Sequence, residues 1–366
     1  MTDGDRILPA AARRVLVPQA PVLVAGFREV LWLTPEGEIE ALSPAEARGR
    51  VEIEPPMLCH ATATARRLDS PGFAALDLLE LFAFVHPARF CVPTPRGLAE
   101  ALGLPPPRRP SDACTSLATT ARALLEALGQ ETDPETSAVA EAMDRGGWLW
   151  ASAVLAALPA AEPGGRRHMA GLRVWTRLAE WAESAPAPAP GNEPVRPDEA
   201  RSRLARLLGA DSEPRPQQAD YAAAVAAAFA PRDIPGQPHA VLAEAGTGVG
   251  KTLGYIAPAS LWAEKNRGSV WISTFTRNLQ TQIAGELDRL YPDPDDKRRR
   301  VVVRKGRENF LCLLNYEEAA GAGAIRPGRA PAQLGLVARW IAASEAGDLV
   351  GGDFPGWLGE LIGRAR

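Results

Sequence analysis

The chain has little of several things, and each scarcity excludes a class. Its 366 residues hold four cysteines, Cys59, Cys91, Cys114 and Cys312, too scattered for a C-x-x-C pair or a disulfide framework. That excludes a cysteine-stapled secreted scaffold and points to a reducing cytosol, hence a cytoplasmic protein. Nowhere do eighteen apolar residues run together, and the opening MTDGDRILPAAARR lacks the apolar core of a signal segment, so no membrane span is expected. Neither sign of charge prevails. A net charge of −3 argues against both a basic DNA-coating protein and an acidic tail, so any nucleic-acid site must be a local patch. Lysine occurs only at 251, 265, 297 and 305, beside abundant Ala, Arg and Pro. The length allows roughly two to three domains.

What is present centres on residues 240–252, AVLAEAGTGVGKT. The apolar run Ala240–Ala243 predicts a buried strand, and Leu253–Ala257 resumes at helical spacing. Between them lie Ala245, Gly246, Thr247, Gly248, Val249 and Gly250, then Lys251 and Thr252. Strand, glycine loop, Lys-Thr and helix make a phosphate-binding loop. Glycines allow positive φ and let backbone N–H groups approach phosphate oxygens, and the helix N-terminus adds partial positive charge. Lys251 is expected to reach the β/γ phosphates of a nucleoside triphosphate, and Thr252 to ligate Mg²⁺. Alanine at 245, where the strict pattern has glycine, favours the A-x-x-G-x-G-K-T variant of helicase motors over kinases and small GTPases.

Towards the N-terminus, apolar runs at 15–17, 22–24 and 29–33 are followed by a turn between strands at Thr34–Glu38. A strand is expected around Pro56–Cys59. Helices are expected over Thr62–Arg67, Phe73–Phe84 (carrying Asp77 and Glu80), Thr94–Leu102 and Ala113–Leu128, the last capped by Ser111 or Asp112. These pieces predict an α/β domain over 1–130. Their order resembles the DEDD exonuclease, or RNase H-like, domain. The resemblance is carried by His60-Ala61-Thr62-Ala63, by Asp77 in LDLLELFAFVHP, by PTPRGLAEALGL and by Asp112 in SDACTSLATTARALLEAL. Two-metal nuclease chemistry needs several converging carboxylates. The D-x-E of that family's first strand has no counterpart in 16–35, which offers only Glu29, so the domain is expected to be a degenerate relic or docking module.

Residues 131–182 read as a helical region whose tryptophans (Trp148, Trp150, Trp175 and Trp181) suit core packing. Alternating Ala-Pro at 185–190 sets a stiff linker over 183–199. A second domain is expected from 200 to 305. In it, Arg215-Pro216-Gln217-Gln218 precedes the phosphate loop by about thirty residues. The paired donor and acceptor of a glutamine, Gln218 ahead of Gln217, can clamp the adenine edge and select ATP. A second strand is expected at Ser269–Thr274. It leads into Thr274, Thr276, Arg277, Asn278 and Gln280, polar groups suited to the backbone phosphates of DNA, single-stranded by expectation. A third expected strand, Val301–Val303, is bracketed by Lys297–Arg300 and by Arg304, Lys305 and Arg307. That is seven positive charges in eleven residues, a candidate DNA-phosphate track.

Taken together, RPQQADY, AEAGTGVGKT, STFTRNLQTQI and KGRENFLC resemble the DinG/XPD group of superfamily-two DNA helicases, DinG most closely, over about 200–315. The resemblance implies an α/β architecture: an incomplete RecA-like P-loop motor domain preceded by the degenerate exonuclease-like domain. It implies ATP and Mg²⁺ as ligands, 5′→3′ DNA unwinding, and an iron–sulfur region beginning at 306–366, with Cys312 at the first ligand position of a [4Fe–4S] cluster. The remaining cluster cysteines, the D-E-A-H box and the second motor domain have no counterpart here, so the chain is expected to be part of a longer protein and inactive alone. Two alternatives stay open: a non-catalytic nucleotide- and DNA-binding module, and another P-loop ATPase. The second would carry an Asp-Glu pair within about sixty residues of the loop, and 270–340 contains none.

Overall fold

A computed structural model describes residues 15–26, 29–159, 170–178, 189–209, 212–213, 215–231, 239–323, 328–350 and 353–362. The chain forms two units. Met1–Glu180 and Lys305–Arg366 make the first, and Trp181–Arg304 makes the second.

The first unit is built on a five-stranded sheet. Strands β1 (Val22–Ala25), β2 (Val30–Leu33) and β3 (Ile39–Leu42) form an antiparallel meander. The turn between β2 and β3 closes through Thr34 N–H to Glu38 O at 2.8 Å, with Gly37 supplying φ +97°. Helix α1 (Pro44–Ile53) follows, with Ser43 and Glu46 forming a reciprocal capping box. Then come β4 (Met57–Leu58), α2 (Ala61–Arg67) and β5 (Leu76–Asp77), and the two short strands pair in parallel beyond β1 to give the order β3-β2-β1-β4-β5. Because both faces of the sheet are covered, β1 and β2 are apolar throughout rather than alternating. Val22, Leu31, Met57 and Leu76 enter the main core; Leu23, Val30, Trp32 and Leu58 pack with Ala47 and Val51 of α1 on the other face.

Helix α3 (Leu78–Val85) is buried from Leu78 through Phe84. It begins later than the apolar run predicts, because Leu76 and Asp77 are drawn into the sheet and the Asp77 carboxylate then caps α3, accepting Leu79 N–H at 2.9 Å. Helices α4 (Pro95–Ala101) and α5 (Pro110–Leu128) fall where expected. Asp112, rather than preceding α5, lies inside its first turn and accepts Arg109 N–H at 2.9 Å. Helices α6 (Glu135–Arg145) and α7 (Ala151–Ala157) complete this run, with Trp148 and Trp150 buried between them and α3. Trp181 and the Ala-Pro stretch through 188 lie outside the described residues.

The second unit is helical among the described residues: α8 (Pro197–Leu208), α9 (Pro216–Ala226), α10 (Lys251–Asn266), α11 (Arg277–Leu290) and α12 (Pro294–Arg300). Helices α8, α9 and α10 pack around Leu204, Ala222, Leu253 and Ala257. The three expected strands at 240–243, 269–274 and 301–303 are not ladders. Each run is without strand pairing, and Leu242 is fully exposed, Trp271 80% and Val302 71% exposed. A strand is stabilised by its neighbour's hydrogen bonds, and no neighbour pairs with these runs among the described residues. The first part of the basic run, Lys297–Arg300, is the end of helix α12, and charges there are paired within the unit: Lys297 with Asp288, Arg298 with Asp295, and Arg300 with Asp296.

Residues 305–362 fold into the first unit. Leu311 N–H donates to Gly347 O at 2.9 Å and Leu349 N–H to Asn309 O at 2.7 Å, forming a short antiparallel clasp. Helices α13 (Leu313–Gly323), α14 (Ala330–Ala343) and α15 (Gly356–Leu361) follow. Helix α14 lies against α6 and α3, approaching so closely that a Cβ on Gly335 would strike the Met143 side chain. Its Arg339 is buried, donating to Phe84 O (2.9 Å), Thr136 Oγ1 (2.7 Å) and Glu131 Oε2 (2.9 Å), and stacks 5.1 Å from the Phe84 ring centre.

Candidate functional site

In the second unit the glycine loop opens helix α10. Gly248 and Gly250 hold φ of +83° and +85°, a left-handed region closed to most side chains, and Lys251 is the first helical residue. Gly250 is doubly constrained, because a Cβ there would strike the Gln218 amide. The loop therefore has the turn chemistry that the sequence predicts, although the strand before it does not form.

Lys251 spans this loop, its Nζ donating to Ala245 O and Gly246 O at 2.9 Å each. The ammonium thus sits on acceptors that an anionic ligand can replace. Gln218, on the first turn of α9, is 2% exposed and donates through Nε2 to Gly250 O at 2.8 Å. Its Oε1 is buried without a hydrogen-bond partner, which leaves an unspent acceptor against the loop. Thr252 is buried, and its Oγ1 accepts Gln282 Nε2 at 3.2 Å. Tyr255 also bonds Thr252, which partly offsets the burial that pushes its phenol above the usual range.

Gln218, Gly250 and Thr252 line one cleft of about 270 Å³ with Arg215, Glu286 and Arg289. Gln282 belongs to the polar segment that follows the expected second strand, whereas sequence reasoning did not find Glu286 and Arg289. Their i, i+4, i+7 spacing on α11 was the available signal, since it sets all three on one helix face. Glu286 brings a carboxylate into the cleft, 3.3 Å from Arg289 Nε. A triphosphate with Mg²⁺ fits this donor set: a left-handed glycine turn, a lysine on displaceable carbonyls, a threonine hydroxyl and an unpartnered amide oxygen.

The expected DNA contacts are only partly gathered. Thr276 caps α11, accepting Leu279 N–H at 3.3 Å, the local role open to a hydroxyl there. Asn278 is exposed, Thr274 and Gln280 are half-buried, and the Arg277 side chain lies outside the described residues. Arg307 is exposed in the first unit. Lys305 is not a free phosphate contact as expected: its Nζ pairs with Asp348 and donates to Val350 O at 2.9 Å, both partners within the clasp. Cys312 is exposed while Cys59, Cys91 and Cys114 are buried, and among the described residues no group of three His, Cys, Asp or Glu could hold a metal ion. These residues do not fit a [4Fe–4S] cluster, which needs four thiolates.

In the first unit, Asp77 and Glu80 are buried but already engaged. The Asp77 oxygens accept Ala61 N–H (2.7 Å) and Leu79 N–H (2.9 Å), and burial, with Glu80 nearby, pushes its carboxyl well up. Glu80 accepts Trp148 Nε1 at 3.1 Å and pairs with Arg329, with burial outweighing the arginine and raising it.

Comparison with known proteins supplies names for part of the chain. It is 30% identical over 135 residues to the ATP-dependent DNA helicase YoaA of Haemophilus influenzae, covering 37% of this chain and 20% of that protein. It is 39% identical over 98 residues to the 3′-5′ exonuclease DinG of Bacillus subtilis, 26% of this chain and 10% of that protein. It is 39% identical over 112 residues to the ATP-dependent helicase DinG of Mycobacterium tuberculosis, 29% of this chain and 16% of that protein. The matches thus span a fifth or less of each relative's length. No family profile and no solved structure matches. Over about a third of its length, the chain is DinG-like.

Proposed function

We propose that the second unit binds ATP as part of a DinG-type DNA helicase, in which hydrolysis is coupled to DNA unwinding. The observation that carries this reading is the left-handed Gly248/Gly250 turn opening α10 at Lys251 with Gln218 and Thr252 in the same cleft. On binding, Lys251 exchanges the Ala245 and Gly246 carbonyls for β/γ phosphate oxygens, and the loop amides take the remaining oxygens. Thr252 would help to hold Mg²⁺, which when bound would supply charge neutralisation for the phosphates. Gln218 keeps Nε2 on Gly250 O and offers Oε1 to the adenine amine, which favours ATP over GTP. Arg215 borders the same cleft. Thr274, Asn278 and Gln280 are proposed contacts to single-stranded DNA. The first unit is proposed to be an exonuclease-like domain without nuclease activity, because the oxygens of Asp77 and Glu80 are already spent on protein donors.

Calorimetric titration of the whole chain with ATP and GTP in Mg²⁺ tests the reading. Lys251→Ala is expected to weaken ATP binding roughly ten- to a hundredfold, the worth of charge-assisted contacts. Undiminished binding in that variant would overturn it. DNA-stimulated phosphate release, lost in Lys251→Ala, identifies a motor; binding without turnover identifies a nucleotide-binding module.

A further inference from the structure

We propose that Glu286, on the cleft-facing side of α11, is the carboxylate that holds Mg²⁺ beside Thr252 in the glycine-loop cleft. The assignment rests on the proposed ATP reading of that cleft and adds a residue to it.

Helix α11 is tied to the loop by Gln282, whose Nε2 donates to Thr252 Oγ1 at 3.2 Å. Glu286 follows one turn later on the same helix face. Helical side chains lean towards the N-terminus of their helix, which directs Glu286 back toward Gln282 and the Thr252 hydroxyl. All three line one cleft.

Glu286 is distinguished by an unanswered oxygen. Its Oε2 is buried and accepts no hydrogen bond. Arg289 Nε lies 3.3 Å away, near enough for its charge to steady the carboxylate but not aligned as a donor. A buried anionic oxygen is costly to leave unpaired at a cleft wall. Triphosphate oxygens cannot answer it, because like charges repel, whereas the cation that accompanies them can. The adenine amine is already proposed for Gln218 Oε1, and Thr252 marks the metal side of the cleft. Mg²⁺ in nucleotide sites is held by one or two carboxylates together with phosphates and retained waters, not by an all-protein cage. A threonine hydroxyl and one carboxylate therefore suffice, although the described residues hold no cluster of three His, Cys, Asp or Glu. Glu213 borders the same cleft but is exposed, so water satisfies its oxygens and it serves as the control.

The whole chain is titrated with ATP by calorimetry, once in Mg²⁺ and once in EDTA. Glu286→Gln keeps the shape of the side chain and removes its charge. In Mg²⁺ it should weaken ATP binding roughly ten- to a hundredfold, the usual loss when a metal site is deprived of a supporting group. In EDTA it should bind ATP at least as tightly as the parent, because a carboxylate no longer opposes the triphosphate. Damage to the fold would weaken both. Glu213→Gln should leave the Mg²⁺ dependence as it is in the parent. With Mn²⁺ in place of Mg²⁺, electron paramagnetic resonance should show more free metal in Glu286→Gln than in the parent at equal ATP. An Mg²⁺ dependence unchanged in Glu286→Gln, or equal weakening with and without the metal, would overturn this assignment alone. No ATP binding by the parent in either medium would overturn the ATP reading, and this assignment with it.

Discussion

The two units place their apolar and charged residues in opposite ways. In the first, a sheet covered on both faces joins eight helices in a continuous core, and charges are paired across long stretches of chain: Arg339 with Glu131, Arg329 with Glu80, Lys305 with Asp348. In the second, the cores are small clusters between α8, α9 and α10, the ion pairs are near the surface, and Leu242, Trp271 and Phe275 face solvent. One unit spends its side chains on closing itself. The other leaves the apolar runs at 240–243, 269–274 and 301–303 without strand partners among the described residues.

Three changes break or sharpen this contrast. The largest effect is expected from Arg339→Ala, which leaves three acceptors, Phe84 O, Thr136 Oγ1 and the Glu131 carboxylate, without their guanidinium donor. It should cost about 3 kcal/mol of stability, read from denaturant unfolding followed by hydrogen exchange in α3 and α6. A loss under about 1 kcal/mol would mean that α14 is not integral to the first unit.

The second effect is a difference in pH slope. Asp77 and Glu80 are raised above their ordinary values by burial, so each binds its proton more tightly folded than unfolded. Their contribution is fully present below the unfolded carboxylate values, near 4, and is lost as pH rises through the folded ones. In the second unit Glu199 is lowered, chiefly by the hydrogen bond from Lys265, so its contribution is present above the ordinary value and lost as pH falls through the folded one. Hydrogen exchange across mildly acidic pH should show the α3 contribution weakening as pH rises, with Glu80→Gln reducing that slope. In α8 the Glu199 contribution should change in the opposite sense and less, because that pair is only half-buried. A slope at α3 unaltered by Glu80→Gln would refute the assignment.

The smallest effect is expected from Trp271→Ser. Removing an exposed indole should shift stability by no more than about 0.5 kcal/mol while reducing self-association in light scattering. A large destabilisation would show that the run is packed after all.

The legible parts were those whose signal is local. The Thr34–Glu38 turn, the helices over 95–101 and 110–128 and the left-handed glycines before Lys251 all follow from residue type and spacing. Strands at 240–243, 269–274 and 301–303 did not follow, because an apolar run states a preference and only a neighbouring strand can fulfil it. The same limit hid β5, two residues that look helical until Met57 and Leu58 pair with them. By resemblance, residues 306–366 are expected to begin an iron–sulfur region. What places them is Arg339 and Trp357, whose partners lie more than two hundred residues away and leave no mark on local periodicity. In the glycine-loop cleft, the loop and Gln218 were visible as motifs, whereas the inward face of α11 was visible only as a spacing.

The chain's detour has a consequence for how the protein is made. Synthesis delivers Glu80 and Thr136 long before Arg329 and Arg339, with the whole of 181–304 in between. A nascent first unit therefore waits with polar groups unanswered and an apolar flank on α6 uncovered, while the intervening helices are already free to assemble. Closing so wide a loop slows the last step, and a ribosome pausing within 181–304 would prolong that wait.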